Sequence, residues 1–229
     1  VMGYTIKVPA NSSAAEIQKA LDKATADDTV VVTGRVTGEN GRLFNTNKAT
    51  LVLDNATIPA DLEIIGAAEI KGDLTLYGKF TATSVTKGEN AAIIDAAATT
   101  AVADLDKYLG YVDNVTVNAV TGALTTTDLS GKALTVKTGD VDLSKVTTSD
   151  ATTKVNVTGE ATLGTNVTLK GTWAVGSIAG AATKVTVDGT LTTKGAIPAA
   201  LTVTKGTAEV GEVKGDVSVA KGATLTAGK

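Results

Sequence analysis

Short runs that alternate apolar and polar residues recur along the chain, and this recurrence is the strongest constraint on its fold. In the last third such runs begin at Val155, Val185, Leu201 and Val217, which are 30, 16 and 16 residues apart. The interval of 30 residues reads as two coils of about 15 residues each. Spacings of this size predict the stacked coils of a β-solenoid.

The composition fits a repetitive β architecture, because only 3% of the residues are aromatic while 24 are Gly. A chain of this kind fills its interior with small and β-branched side chains. Thr, Lys and Asn between the apolar positions are expected to point outward. The predicted inward set is Val155, Val157, Leu163, Val167, Leu169, Val185, Val187, Leu191, Leu201, Val203, Val217, Val219 and Leu225.

The N-terminal residues predict a short strand at Tyr4–Val8 followed by a helix. Ser13 and Glu16 have the spacing of a capping box, and an apolar face follows them. A buried strand closed by Gly34 comes next. This helix favours a solenoid over the alternative that the alternation also allows, an antiparallel β-sandwich. The apolar face consists of Ile17, Leu21 and Ala24, and the pattern ends at Asp27 and Asp28.

The segment AAEIQKALDKATADDTVVVTG resembles the start of right-handed parallel β-helix proteins of the pectin-lyase-like group. In that group a helix caps the solenoid and a D-T-V strand opens the first coil. The resemblance covers about 25 residues. It implies a parallel β-helix and leaves the function open, since the group holds lyases, hydrolases, phage spikes and noncatalytic surface proteins.

The expected organisation is a single all-β solenoid domain over residues 1–229. It has an N-terminal cap at 1–28, coils at 29–88, a helical insertion at 89–112 and further coils at 113–229. The insertion is placed by the Ala-rich stretch 91–110, with Asn90 as a candidate cap and Gly110 as a stop.

Residue counts exclude much familiar chemistry. The chain has no His and no Cys, so His- or Cys-ligated metal centres, haem, disulfides and His-dependent nucleophiles are ruled out. With 21 basic and 24 acidic residues, no basic footprint for nucleic acid is visible. No apolar stretch predicts a membrane span. We expect no cofactor and no metal.

Two kinds of polysaccharide chemistry need neither His nor Cys and are therefore compatible with the composition. A lyase could use Arg35 or Arg42 as base with Asp-bound calcium, but the nearest Asp residues, Asp27, Asp28 and Asp54, form no recurring cluster. A glycosidase needs paired carboxylates, and Asp140 and Asp142 lie on one strand face. A calcium site at that pair is conceivable, although a solvated turn explains it as well.

Two further features concern the surface. Sequons begin at Asn11, Asn55, Asn114, Asn156 and Asn166, and they are candidate glycosylation sites. Threonines could form an ice-binding face, although Lys184, Lys194 and Lys205 interrupt it. The threonines in question are Thr183, Thr192, Thr193, Thr202, Thr204, Thr224 and Thr226.

The function expected from these observations is that of a noncatalytic extracellular structural protein, which assembles into a filament, sheath or surface layer. The expected partners are copies of the chain joined head to tail through Val217, Val219 and Leu225, because the C-terminal run carries no capping helix. Cell-surface polysaccharide is a second candidate partner. The start at Val1 without a signal-peptide pattern favours a processed protein at the cell surface or outside the cell. A polysaccharide-binding or polysaccharide-cleaving protein and an ice-binding protein are the alternative functions.

Overall fold

The alternating residues form short parallel strands that stack coil upon coil, with Val, Leu and Ile pointing inward. The computed structural model describes residues 3–180 and 183–228. Contacts divide the chain into two compact units. One comprises the described residues up to Ala97 together with Lys107–Val115, and the other comprises Ala98–Asp106 together with the described residues from Thr116 onward. The expectation of a single domain stays a prediction.

The first unit is a parallel β-solenoid that begins with a strand and a helix. Its strands stack on three sides, and each ladder within it is parallel. Helix α1 spans Ala14–Lys23. The strands are β1 (Thr5–Val8), β2 (Thr29–Arg35), β3 (Gly41–Phe44), β4 (Thr50–Ile58), β5 (Leu62–Lys71), β6 (Asp73–Leu76), β7 (Phe80–Lys87) and β8 (Ala92–Asp95).

Helix α1 begins and packs as predicted. The hydroxyl of Ser13 accepts a hydrogen bond from the N–H of Glu16 at 3.2 Å, which is the capping-box contact. Ile17 and Leu21 are buried, and the helix contacts β1, β2 and β3. The helix therefore covers the interior of the first coil.

The Ala-rich stretch 91–110 is only partly helical. A helix is confirmed at Val102–Tyr111, but Ala92–Asp95 and Thr99–Ala101 are strands. Asn90 does not cap a helix, and Gly110 lies inside the last helical turn. Strand β8 reads Ala-Ile-Ile-Asp and pairs in register with β6, and its β-branched Ile93 is buried in the interior.

The elements after β8 are bounded as follows: β9 (Thr99–Ala101), α2 (Val102–Tyr111), β10 (Asn114–Val117), β11 (Ala119–Thr121), β12 (Ala133–Val136), β13 (Val141–Leu143), β14 (Lys154–Leu163), β15 (Val167–Ala179), β16 (Lys184–Thr193), β17 (Ala196–Ile197), β18 (Ala200–Val210), β19 (Glu212–Val213), β20 (Val217–Val219) and β21 (Thr224–Ala227).

The second unit is also a parallel solenoid, and its long strands bend at a corner. One side stacks the first part of β14, the middle of β15, the end of β16, the end of β18 and β21. Another stacks the starts of β15, β16 and β18 with β20. The corner between them is a stack of Gly171, Gly189 and Gly206. A Cβ at Gly206 would meet the carbonyl oxygen of Gly189, so a side chain has no space there.

The fold class predicted from the sequence, an all-β parallel β-solenoid with an N-terminal helix, is confirmed, and the antiparallel sandwich is wrong. The interpretation of the 30-residue interval as two coils is also wrong. Val155 pairs with Trp173 on one side, whereas Val185 pairs with Val167 on another. Successive partners on the first of these sides are 17 or 18 residues apart.

Candidate functional site

The last coil, formed by β20 and β21, is the candidate functional site because its strand edge is open. β20 pairs in register with the start of β18, and β21 pairs with the end of β18. Within residues 3–180 and 183–228, no other strand pairs with β20 or β21. Unpaired strand edges in natural proteins are covered or blocked, since they recruit further strands.

The inward-facing side chains of this coil lack the cover that earlier coils receive. Val217 is 50% exposed and Val219 is 42% exposed, whereas their register partners Leu201 and Val203 are fully buried. Leu225 is half-buried. The remainder of the predicted inward set is buried as expected. The three exceptions are thus the residues predicted to form an assembly edge.

The backbone of β20 has one bonded side and one open side. The N–H of Ala220 donates to the carbonyl of Val203 at 2.9 Å. In a parallel ladder alternate residues face the same neighbour, so Ser218 also faces β18 while Val217 and Val219 direct their N–H and C=O groups outward. Proline at Val219, and not at Ser218, therefore removes an outward donor.

The N-terminal coil differs from this open coil, because side chains bond to the edge of β3 and to the end of α1. The amide of Gln18 accepts from the N–H of Phe44 at 2.8 Å and donates to the carbonyl of Phe44 at 3.0 Å. The amide of Asn47 donates to the carbonyl of Ala24 at 3.0 Å, just beyond the end of α1. Sequence reasoning missed Gln18, whose position on the helix face opposite Glu16 was the available signal.

A groove of about 470 Å³ lies on the first unit. In it the Nε of Arg42 forms an ion pair with Glu63 at 2.7 Å. The side chain of Asn40 accepts from the N–H of Asp61, and the carboxylate of Asp61 accepts from the N–H of Lys79 at 2.8 Å. These polar groups therefore already use some of their hydrogen-bond donors and acceptors in contacts within the solenoid.

The candidate lyase residues are not brought together. Arg42 lines the groove, but Arg35 pairs in β2 with Thr57 of β4 and does not line it. Neither Asp28 nor Asp54 lines the groove. Asp28 accepts from the backbone of Tyr4, and Asp54 accepts from the amide of Asn55. Asp27 does not line the groove either.

Several other carboxylates hold turns in place. Hydrogen bonds from the N–H groups of Tyr4 and Thr25 lower the pKa of Asp28. Burial acts to raise the pKa of Asp106, but donation from the hydroxyls and N–H groups of Thr125 and Thr126 lowers it overall. These aspartates act as acceptors for backbone donors, which is a structural role.

The pair Asp140 and Asp142 is used in the same way. Asp140 accepts from the N–H of Glu160 at 2.7 Å, and Asp142 accepts from the N–H of Ser144 at 2.9 Å. In the described part of the chain, no three acidic residues are grouped closely enough to hold a metal ion.

The sequon asparagines and the threonines lie at the surface with few exceptions. All five sequon asparagines are exposed. Thr190 and Thr192 are stacked in register with Thr207 and Glu209, so a charge interrupts that threonine face. Thr193 is buried and donates to the carbonyl of Gly195, so its assignment to an outer face is wrong.

Comparisons with protein-family models, curated proteins and solved structures find no match to this chain. Among the described residues, neither helix is long and apolar enough to span a bilayer.

Proposed function

We propose that this protein is a noncatalytic structural protein whose copies associate through the last coil into a filament, sheath or surface layer. The observation that carries the proposal is the open coil itself. Val217 and Val219 face the solenoid interior and are about half exposed, beside outward-facing backbone donors and acceptors. Pairing with another chain would satisfy those groups and bury the side chains.

Two further observations support a structural role. Most of the chain forms regular strand ladders, and many carboxylates accept backbone hydrogen bonds at turns. The exposed sequon asparagines suit a location at the cell surface or outside the cell. The likeness of the first helix and strand to the pectin-lyase-like group belongs to the same proposal, as a shared β-helix framework without its catalytic chemistry.

Light scattering and negative-stain microscopy of the purified chain test self-association. The wild-type chain is expected to form particles larger than one chain in a concentration-dependent way. Val219→Pro removes an outward donor and is expected to lower the assembled fraction at least tenfold. Ser218→Ala is the matched control, because it keeps every backbone donor of β20. A wild-type chain that stays monomeric at all accessible concentrations contradicts the proposal.

A further inference from the structure

The first coil of the first unit and the last coil of the second unit offer different surfaces to a second copy. The last coil presents an apolar interior and an open strand edge, as described above. At the N-terminal coil, Ile17 and Leu21 of α1 already fill the interior. The outer face of α1 carries the exposed charged residues Glu16, Lys19 and Asp22.

The two surfaces that a head-to-tail contact would bring together are therefore poorly complementary. The charged outer face of α1 would lie over Val217 and Val219 and could not replace the apolar cover that they lack. The side chain of Gln18 already occupies the edge of β3. Among the described residues of that coil, only β1 would remain as an edge strand.

We infer that the last coil pairs with the last coil of a second copy, tail to tail, through antiparallel β20 strands centred on Ser218. This inference rests on the proposed function and names its contact. A two-fold axis at Ser218 places Val217 of one copy directly opposite Val219 of the other. Directly opposite residues lie on the same face of an antiparallel pair, so these valines cover each other's exposed side.

The hydrogen-bond directions agree with this register. Val217 and Val219 direct their N–H and C=O groups outward, and in an antiparallel ladder two opposed residues of this kind exchange both bonds. Ser218, whose backbone faces β18, falls at the position where no exchange is needed. One strand therefore provides two such pairs around the axis.

The charges at the ends of β20 also bear on whether the two strands pair antiparallel or parallel. Asp216 lies just before the strand and Lys221 lies two residues after it, and both are exposed. With the axis at Ser218, Asp216 of each copy lies opposite Ala220 of the other and next to Lys221, while the exposed Lys214 lies opposite Gly222. A parallel arrangement in register would align like charges. An isologous contact of this kind closes on itself, so its product is a dimer, and a filament, sheath or surface layer requires a second contact between such dimers.

The experiment uses two double variants of the full chain. One carries Val217→Lys and Val219→Lys, and the other carries Val217→Glu and Val219→Glu. Each places like charges opposite each other in a tail-to-tail dimer, so each alone is expected to be monomeric by light scattering. An equimolar mixture is expected to recover dimers of twice the chain mass, because every Lys then faces a Glu. Unchanged melting temperature and Trp173 emission verify that the variants are folded.

The outcomes separate the inference from the proposed function. Recovery of dimers in the mixture supports tail-to-tail pairing. The N-terminal coil is identical in both variants, so mixing could not restore a contact between that coil and a substituted last coil. Wild-type particles that grow open-ended, together with a mixture that does not recover, overturn tail-to-tail pairing and leave self-association standing with β1 as the partner edge. A wild-type chain that remains monomeric overturns both.

Discussion

The side-chain amide of Gln18 binds the backbone of Phe44 as a neighbouring strand would, with one bond accepted and one donated. Gln18 lies on α1 and Phe44 ends β3, whose only ladder with the described residues is with β5. A side chain from the capping helix thus ends the stacking on this side of the first coil. β20 has no equivalent among the described residues, which is why the two coils differ in their capacity to pair.

Removal of this closure should weaken the first coil. We expect Gln18→Ala to lower the free energy of unfolding by about 1–3 kcal/mol, because two hydrogen bonds are lost at about 0.5–1.5 kcal/mol each. Lys19→Ala, on the exposed face of the same helix, should change it by less than about 0.5 kcal/mol. Urea unfolding measures both variants. Amide exchange at Phe44 that stays as slow as in the wild type would contradict the role assigned to Gln18.

The two faces of β16 provide a test of the core. Val187 is fully buried, while Thr186 beside it points outward. Val187→Asp should destabilise the second unit by several kcal/mol, since an unpaired carboxylate is buried among Val and Leu. Thr186→Asp should cost about 0.5 kcal/mol or less. Thermal melts followed by Trp173 emission compare the pair, and equal melting temperatures would show that the faces are wrongly assigned.

Two glycines allow the energetic cost of backbone strain to be measured separately from the cost of a steric contact. Gly206 and Gly222 both have a φ of 86°, but a Cβ at Gly206 meets the backbone of Gly189, whereas the space around Gly222 is open. Gly222→Ala should cost about 1–2 kcal/mol from its backbone conformation alone. Gly206→Ala should cost that amount plus about 1–3 kcal/mol of overpacking. Chemical denaturation resolves the difference, and equal losses would mean that the corner can open without cost.

Local patterns predicted local structure well and distant pairing poorly. The capping box at Ser13 and Glu16 identified α1, and strict alternation identified the buried face of β16. The partner of Val155 could not be predicted, because the bend at Gly171 moves equivalent valines to different sides of the coil. Ala92–Asp95 contains two adjacent Ile residues, a strand signal that was outweighed in the prediction by the Ala residues around it.

The apolar residues of the candidate site were predictable from the sequence, whereas the directions of its backbone N–H and C=O groups were not. The alternation marked Val217, Val219 and Leu225 as inward. Which backbone groups of β20 face outward depends on the bond between Ala220 and Val203, and that bond is set by three-dimensional pairing. The polar outer face of α1 becomes informative only when its buried face is known.

Acid should weaken the link between α2 and the loop after β11. The pKa of Asp106 in the folded protein is lowered, so its ionised form contributes stability above its unfolded pKa of about 3.9. That contribution is lost as the pH falls below this value and through the lower folded pKa. We expect Asp106→Asn to destabilise the chain by about 1–3 kcal/mol at pH 7, because one of the two oxygens that accept from Thr125 and Thr126 is replaced by an amide donor and the negative charge is lost. Urea unfolding at several pH values should show this difference shrinking below pH of about 4, and a constant difference would exclude ionisation as its cause.

The groove at Arg42 is expected to be catalytically inert on acidic polysaccharides. A base needs a free, correctly placed group, but Arg42 is ion-paired with Glu63, and Asp61 holds the N–H of Lys79. Incubation with polygalacturonate, with and without calcium, should therefore release neither unsaturated nor reducing ends. Arg42→Ala and Glu63→Ala should leave that result unchanged and shift the melting temperature little, because the pair is exposed and such pairs contribute about 0–1 kcal/mol. Release of product by the wild type that Arg42→Ala abolishes, with Arg35→Ala as the matched control outside the groove, would establish a catalytic site there and overturn the structural assignment.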